Sequence, residues 1–296
     1  MSKVVQLPIK FDISATYRFT REVVGPDGLP TADRISFDFS RLNFIDGSGY
    51  TVLSNTIGWL TSQGVTCAFR NFASSKSPAI KYLDDCGFFR QYLGQPLSAS
   101  ASCRPSTLPC TAVAHAHAHG WLEYTFSPWM GDIMKVSHGA LSSVRTCLKE
   151  LFHNINDHST KDTGFVHAQL YPNVRSVRIT VSDFGTGIPS TIRGKYGDMS
   201  DGNAILHACK EGTTAQSRPN NMGAGLNYMI DRVTASHGQV RILSLQGVVN
   251  CFRDRGEQVT RRPMTGNGTY PGTLVEIELD TRLFVGDEEE RVEVEW

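Results

Sequence analysis

Apolar and polar residues alternate at Ile35-Ser-Phe37-Asp-Phe39, at Val65, Cys67 and Phe69, at Val177, Ile179 and Val181, and at Val275, Ile277 and Leu279. This is the period of a strand with one buried face. Residues 3–7 read as a further strand, and so do Val240, Ile242, Leu243 and Leu245 between Gly238 and Gly247. Elsewhere the period lengthens to that of a helix. Leu53, Ile57 and Leu60 fall at i, i+4 and i+7 before a stop at Gly64. Ile80 and Leu83 follow a Ser77 cap and Pro78, with Gly87 as terminator. Leu148, Leu151, Phe152 and Ile155 mark another apolar helix side, and Leu226, Met229, Ile230 and Val233 a fourth. Strand–helix–strand–helix over the first ninety or so residues predicts a small α/β domain. The predicted fold class of the whole chain is α/β.

Between these elements the pattern lapses. Residues 95–112 are rich in Ser, Ala and Pro without periodicity and read as a linker. In Val113-Ala-His115-Ala-His117-Ala-His119 the alternation returns, predicting a strand with three histidines on one face. Such neighbours stand about 7 Å apart, too far to converge on one tetrahedral zinc, so a polar strand face is expected. Trp121, Phe126, Trp129 and Met130 begin a helical stretch. Residues 190–222 carry few apolar anchors and many small or basic residues (Arg193, Lys195, Lys210, Gly212, Arg218), the composition of a segment that opens at little cost. Residues 251–270, with Arg253, Arg255, Arg261 and Arg262, read as a polar connection. The resulting division is 1–94, a linker and strand over 95–119, a second domain over 120–285 and a solvated acidic tail over 286–296.

Composition narrows the function classes. A chain of 296 residues with 40% hydrophobic content can bury a sizeable core, and its formal net charge is zero. Without a field of one sign, nucleic acid is a poor default partner. Seven cysteines, an odd count lacking CxxC pairs, suit reduced thiols in the cytoplasm. No signal-peptide core and no run of membrane-spanning length occur, so a cytoplasmic protein without a membrane partner is expected.

Three stretches carry chemistry. Glu150, Asn154 and His158 recur every fourth residue and share one helix face. The Asn154 carboxamide oxygen suits Mg²⁺, and Glu150 can polarise a water or hydroxyl for attack on a phosphate; taken alone, the stretch is equally an amphipathic helix with a polar side. Asp183 ends a strand and can accept a hydrogen bond from an adenine amine, while Gly185 and Gly187 allow backbone to approach a ring; alone, it is a glycine-rich turn. Asn221-Met-Gly223-Ala-Gly225-Leu226 opens a helix whose N–H groups can meet phosphate. Tyr228 stands where a Rossmann fingerprint needs its third glycine, no P-loop motif exists, and Asp183-Phe-Gly185 lacks the companion motifs of a protein kinase.

In this order, E-L-F-H-N-I-N-D-H (150–158), V-S-D-F-G-T-G-I-P (181–189) and N-M-G-A-G-L (221–226) resemble the ATP-contacting boxes of the GHKL superfamily, which includes gyrase, a class of heat-shock chaperones and histidine kinases. The resemblance covers 120–282 and implies a Bergerat-type α/β sandwich. It assigns Glu150 as general base and Asn154 as the Mg²⁺ ligand. ATP contacts are implied at Asp183, Gly185, Gly187, Ile188, Thr213, Thr214, Gly223, Gly225, Leu226 and Thr273, with 190–222 as a mobile lid. F-I-D-G-S-G (44–49) resembles the STAS domain of anti-sigma-factor antagonists, covering 1–94, with Gly47 in place of the usual first serine. On that resemblance Ser48 is the phosphoacceptor; from the residues alone it is the N-cap of a 49–62 helix, the more common role. The pairing resembles partner-switching systems and implies an Mg-ATP-binding regulator that transfers phosphate to a protein serine, Ser48 included, or to water. Its expected partners are proteins, a second copy of the chain among them. The alternatives are a non-catalytic ATP-gated interaction module and, less favoured by the charge, a DNA clamp. A sensor histidine kinase is set aside, because His138-Gly-Ala-Leu poorly matches a phosphoacceptor histidine.

Overall fold

The computed structural model describes residues 1–73, 77–158, 163–210 and 225–284, with side chains of 156–158, 283 and 284 left aside. The fold is α/β. In the N-terminal module, β1 (Ser2–Gln6), β3 (Arg34–Asp38) and β5 (Thr66–Arg70) form a parallel sheet in the order β1-β3-β5. A two-stranded parallel sheet joins β2 (Lys10–Phe11) to β4 (Phe44–Ile45). Around them pack α1 (Thr16–Val23), α2 (Gly47–Ser62), α3 (Pro78–Asp85) and α4 (Phe88–Leu93). Phe37, Phe39, Phe69, Phe88 and Phe89 supply much of the core, with centroid separations of 5.2–6.3 Å. Gly87 follows the C-cap of α3, as the pattern predicts, and a new helix starts straight after it. At φ +83° it turns the chain into α4, a left-handed conformation that glycine adopts without a side-chain penalty.

The start of α2 departs from the expected cap. Asp46, not Ser48, is the N-cap: its Oδ1 accepts from Gly49 N at 3.0 Å, and Ser48 lies within the first helical turn. The glycines beside Ser48 have steric reasons. A Cβ on Gly47 would fall 2.3 Å from Nδ1 of His167, and one on Gly49 would fall 2.1 Å from the Phe11 carbonyl oxygen. Small and polar residues line α2 on nearly every side, and almost all of the helix is buried, as a helix enclosed between two layers must be.

The second layer is an antiparallel sheet in the order β6-β7-β8-β10-β9. Its strands are β6 (Thr107–Ala114), β7 (Thr163–Tyr171), β8 (Ser176–Asp183), β9 (Gln239–Arg253) and β10 (Val259–Asp280). Residues 107–112, read above as linker, are thus part of its edge strand. Pro109 fits there because an edge position needs no N–H donor, and the ladder shifts register between Leu108 and Thr111. The strand stops at Ala114, and the alternating histidines belong to α5 (His115–Trp121). Alanine favours helix strongly, and on the helix His115 and His119 share a face while His117 turns away from it. A π turn at Leu122–Phe126 leads into α6 (Ser127–Met134). The polar stretch 251–270 is not a free loop either: β9 and β10 pair along Arg253↔Val259 to Gly247↔Thr265.

Alternation along these strands separates two environments. Val166, Ile179, Val181, Val275, Ile277 and Ile242 pack with Leu148, Leu151, Phe152 and Ile155 of α7 (Ser142–His158) and with Met229, Ile230 and Val233 of α10 (Gly225–Ala235). The opposite face meets the N-terminal module. There Phe165 lies under Gly58 of α2, and Leu243, Tyr270 and Leu274 join the N-terminal core. Tyr17 of α1 donates its hydroxyl to the Gly247 carbonyl at 2.6 Å. The five-stranded sheet thus lies between the N-terminal module and the layer of α7 and α10.

Candidate functional site

The helical period of Leu148, Leu151, Phe152 and Ile155 seats α7 on the sheet and leaves Glu150 and Asn154 half-exposed beside it. At the start of α10, a Cβ on Gly225 would lie 3.0 Å from Oε2 of Glu150. Stretches 75 residues apart in sequence therefore meet, and a side chain at 225 would crowd the carboxylate. One turn along α7, Ile155 covers Gly164, where a Cβ would fall 2.5 Å from Ile155 Cδ1 and 3.6 Å from the Ser182 carbonyl oxygen. This contact places the Asn154 turn of α7 beside the end of β8, where Asp183 stands.

Asp183 is 7% exposed. Burial raises its pKa to about 7, an effect opposed by hydrogen bonds from the backbone N–H groups of Gly185 and Thr273. The Gly185 bond is 2.6 Å long, and Thr273 is the ladder partner of Asp183. Beyond the strand, Gly187 and Gly272 have φ of +80° and +94°. Their lack of a Cβ serves the loop's own closure: one on Gly272 would fall 2.4 Å from the Asp183 carbonyl oxygen, and one on Gly187 2.9 Å from Ser244 Oγ. Ser244 is the residue that pattern reading passed over. Fully buried, it donates to the Gly272 carbonyl at 2.6 Å, accepts from Ile188 N at 3.0 Å and lies 3.2 Å from Thr273 Oγ1. Its only signal in the sequence is a polar residue within the apolar run Val240–Leu245.

The structure thus gathers Asp183, Gly185, Gly187, Ile188 and Thr273 into one loop cluster, and Glu150 with Gly225 into another joined to it through α7. Leu226 packs against the helix-side core. Thr213, Thr214 and Gly223 lie outside the described residues. Part of the expected lid is ordered helix: α8 (Ile188–Tyr196) and α9 (Asp201–Ala208). Arg193, one of the basic residues of that stretch, is paired with Asp201 and also donates to the Met199 carbonyl at 3.3 Å. Lys210 is exposed.

Ser48 is elsewhere. It is 3% exposed, donates to Glu276 Oε2 and lies 3.0 Å from Thr180 Oγ1. Thr180 and Glu276 belong to the N-terminal side of the sheet, while Glu150 stands on the helix side. Glu276 in turn accepts from Arg241 at 3.1 Å. Nearby, burial raises Asp46 to about 6 and lowers His167 to about 3. The Tyr82 hydroxyl meets His167 Nε2 at 3.0 Å and Gln169 Oε1 at 2.9 Å. Among the described residues no group of three His, Cys, Asp or Glu side chains could hold a metal ion, and no helix is long and apolar enough to cross a membrane. No protein-family model matches the chain, and no curated protein matches it.

Proposed function

We propose that this chain is an Mg-ATP-binding regulatory protein of the GHKL type, with Glu150 directing phosphoryl transfer to water or to a protein serine. The observation that carries this reading is the meeting of Glu150 with Gly225, the glycine that opens α10, next to a strand end carrying a buried carboxyl. The donor set fits an adenine nucleotide. Asp183 offers a buried acceptor, where a hydrogen bond to an amine is stronger than in water. The N-terminus of α10 offers backbone N–H groups and a positive dipole end for phosphate. Glu150 beside it can accept the proton that an attacking water or serine hydroxyl loses. Asn154, one turn further on, has the neutral oxygen suited to Mg²⁺, which when bound neutralises charge on phosphate oxygens.

In the docked molecule the sheet stands between Ser48 and Glu150, so transfer to Ser48 within one chain requires the N-terminal module to leave the sheet. Water, or a serine on another protein, fits the docked state. The burial of Ser48 also favours a second reading, in which nucleotide controls exposure of the docking face without turnover. Incubation with Mg²⁺ and ATP, followed by phosphate assay and phosphosite mass spectrometry, separates them. The enzyme reading expects turnover that falls about 10²–10⁴-fold in Glu150→Ala, with ATP binding kept. Binding without turnover, indifferent to Glu150→Ala, would establish the gated module. Absence of ATP binding would end both.

A further inference from the structure

Asp183 is flanked by two residues that the N-terminal module holds. On one side, Asn55 of α2 donates through Nδ2 to Ser182 Oγ at 2.8 Å and to Tyr270 Oη at 3.1 Å. Ser182 Oγ and Tyr270 Oη are themselves hydrogen-bonded. On the other side, Trp59 of α2 stacks on Phe184, with centroids 5.3 Å apart and planes 17° from parallel. Phe184 also touches the Tyr270 ring, at a centroid separation of 5.1 Å. Asn55, Ser182 and Tyr270 are buried, and Trp59 is 8% exposed.

Successive strand residues point to opposite faces. Ser182 and Phe184 reach toward the module, which turns Asp183 between them toward the helix side, where Glu150 and Gly225 stand. We propose that Asn55 and Trp59 are positioning residues for adenine recognition: the N-terminal module grips the residues before and after Asp183, so module docking and base binding are coupled. This inference rests on the ATP-site reading above and adds regulation to it. By reciprocity, whatever loosens α2 weakens nucleotide binding, and bound nucleotide tightens α2 on the sheet by the same factor. The grip acts on the base-facing loop alone. The phosphate-facing residues, at the start of α10 and on α7, belong to the other layer and make none of these contacts.

The test uses the full chain and three titrants with Mg²⁺: ATP, GTP and inorganic tripolyphosphate, measured by calorimetry. Trp59→Ala is expected to weaken ATP about tenfold, to narrow the preference for ATP over GTP, and to leave tripolyphosphate affinity unchanged. Trp59→Phe, which keeps an aromatic ring over Phe184, should restore ATP binding to within about threefold of wild type. Should Trp59→Ala fail to fold, Tyr270→Phe carries the test, because it removes only the hydroxyl shared by Asn55 and Ser182 and is expected to lower ATP affinity severalfold with tripolyphosphate unaffected. ATP affinity within twofold of wild type in the folded variant overturns the proposal, and so does an equal loss for ATP and tripolyphosphate, which would mark a general structural role. If the wild type fails to bind ATP, or Asp183→Asn binds it equally well, the site reading itself falls and takes the coupling with it. A wild type that binds through Asp183 beside an indifferent Trp59→Ala rejects the coupling alone.

Discussion

The two faces of the central sheet are built from different materials. Toward α7 and α10, the strands present Val166, Ile179, Val181, Val275 and Ile277, an aliphatic surface on which dispersion and area burial act without direction. Toward the N-terminal module, they mix Phe165, Leu243, Tyr270 and Leu274 with the polar His167, Thr180, Ser182 and Glu276, these last four buried and each hydrogen-bonded to a named partner. An apolar face tolerates small slips of the layer above it. A polar face does not, since each displaced donor or acceptor would be left dry and unpaired. The difference suggests a division of labour, in which the aliphatic side supplies stability and the polar side fixes one docking position for α2.

Each side also holds a carboxyl whose pKa burial raises, which gives the largest expected effect. Burial raises Asp46 from 3.8 to about 6 and Asp183 from 3.8 to about 7. The folded chain therefore keeps protons that the unfolded chain has already released. These two carboxyls should lower stability as pH rises from about 4, through 6 for Asp46 and through 7 for Asp183, while buried His167, lowered to about 3, offsets part of the fall up to about pH 6.5. Thermal melts of the nucleotide-free protein from pH 4 to 8 measure this. Asp183→Asn should remove the decline between pH 6 and 7 and raise the melting temperature at pH 8, while abolishing ATP binding. A profile that Asp183→Asn leaves unchanged would mean that Asp183 is not protonated in the fold.

Next in size is Ile277→Ala on the aliphatic side, expected to cost about 2–5 kcal/mol by leaving a cavity. Denaturant titration should show the midpoint moving without a new intermediate. Ser48→Asp puts a second carboxylate against Glu276, a buried like-charge contact expected to cost about 3 kcal/mol. Its loss should appear as new protease cleavage in residues 95–106, because the module and not the α7 side is released. Equal protection of that stretch in the variant would remove the contrast between the faces. Smallest is Thr180→Val, which keeps the shape and removes one partner of Ser48, at about 1 kcal/mol in a chemical melt.

Legibility in the sequence follows the same division. The helix side was readable because its period repeats: Leu148, Leu151, Phe152 and Ile155 specify α7, and the alternation of Val177, Ile179 and Val181 specifies β8. The placement of Gly225 at the start of α10 and of Asp183 at the end of β8 was readable for similar reasons. The module's own β1, β3, β5, α2 and α3 were readable too, but its contacts with the central sheet were not. Residues 107–112 read as linker because Ser, Ala and Pro obscure an edge strand. The β9–β10 arms are too polar for alternation to mark, and α1 was not singled out at all. Ser48 was taken as a cap because Asp46, two residues earlier, does that work while serving the same turn. The contacts of Asn55 with Ser182 and of Trp59 with Phe184 join residues more than a hundred positions apart, and no local pattern encodes such pairs.

Leu243, Tyr270 and Leu274 carry one last implication. They are strand residues of the second half that lie inside the core of the first. Severing the chain near position 120 would leave one fragment without β6 and with a raw, greasy flank, and the other without the surface that closes its interior. Neither piece inherits a complete inside, so the intact polypeptide is expected to melt in a single transition, and recombinant halves to be recovered only when produced together.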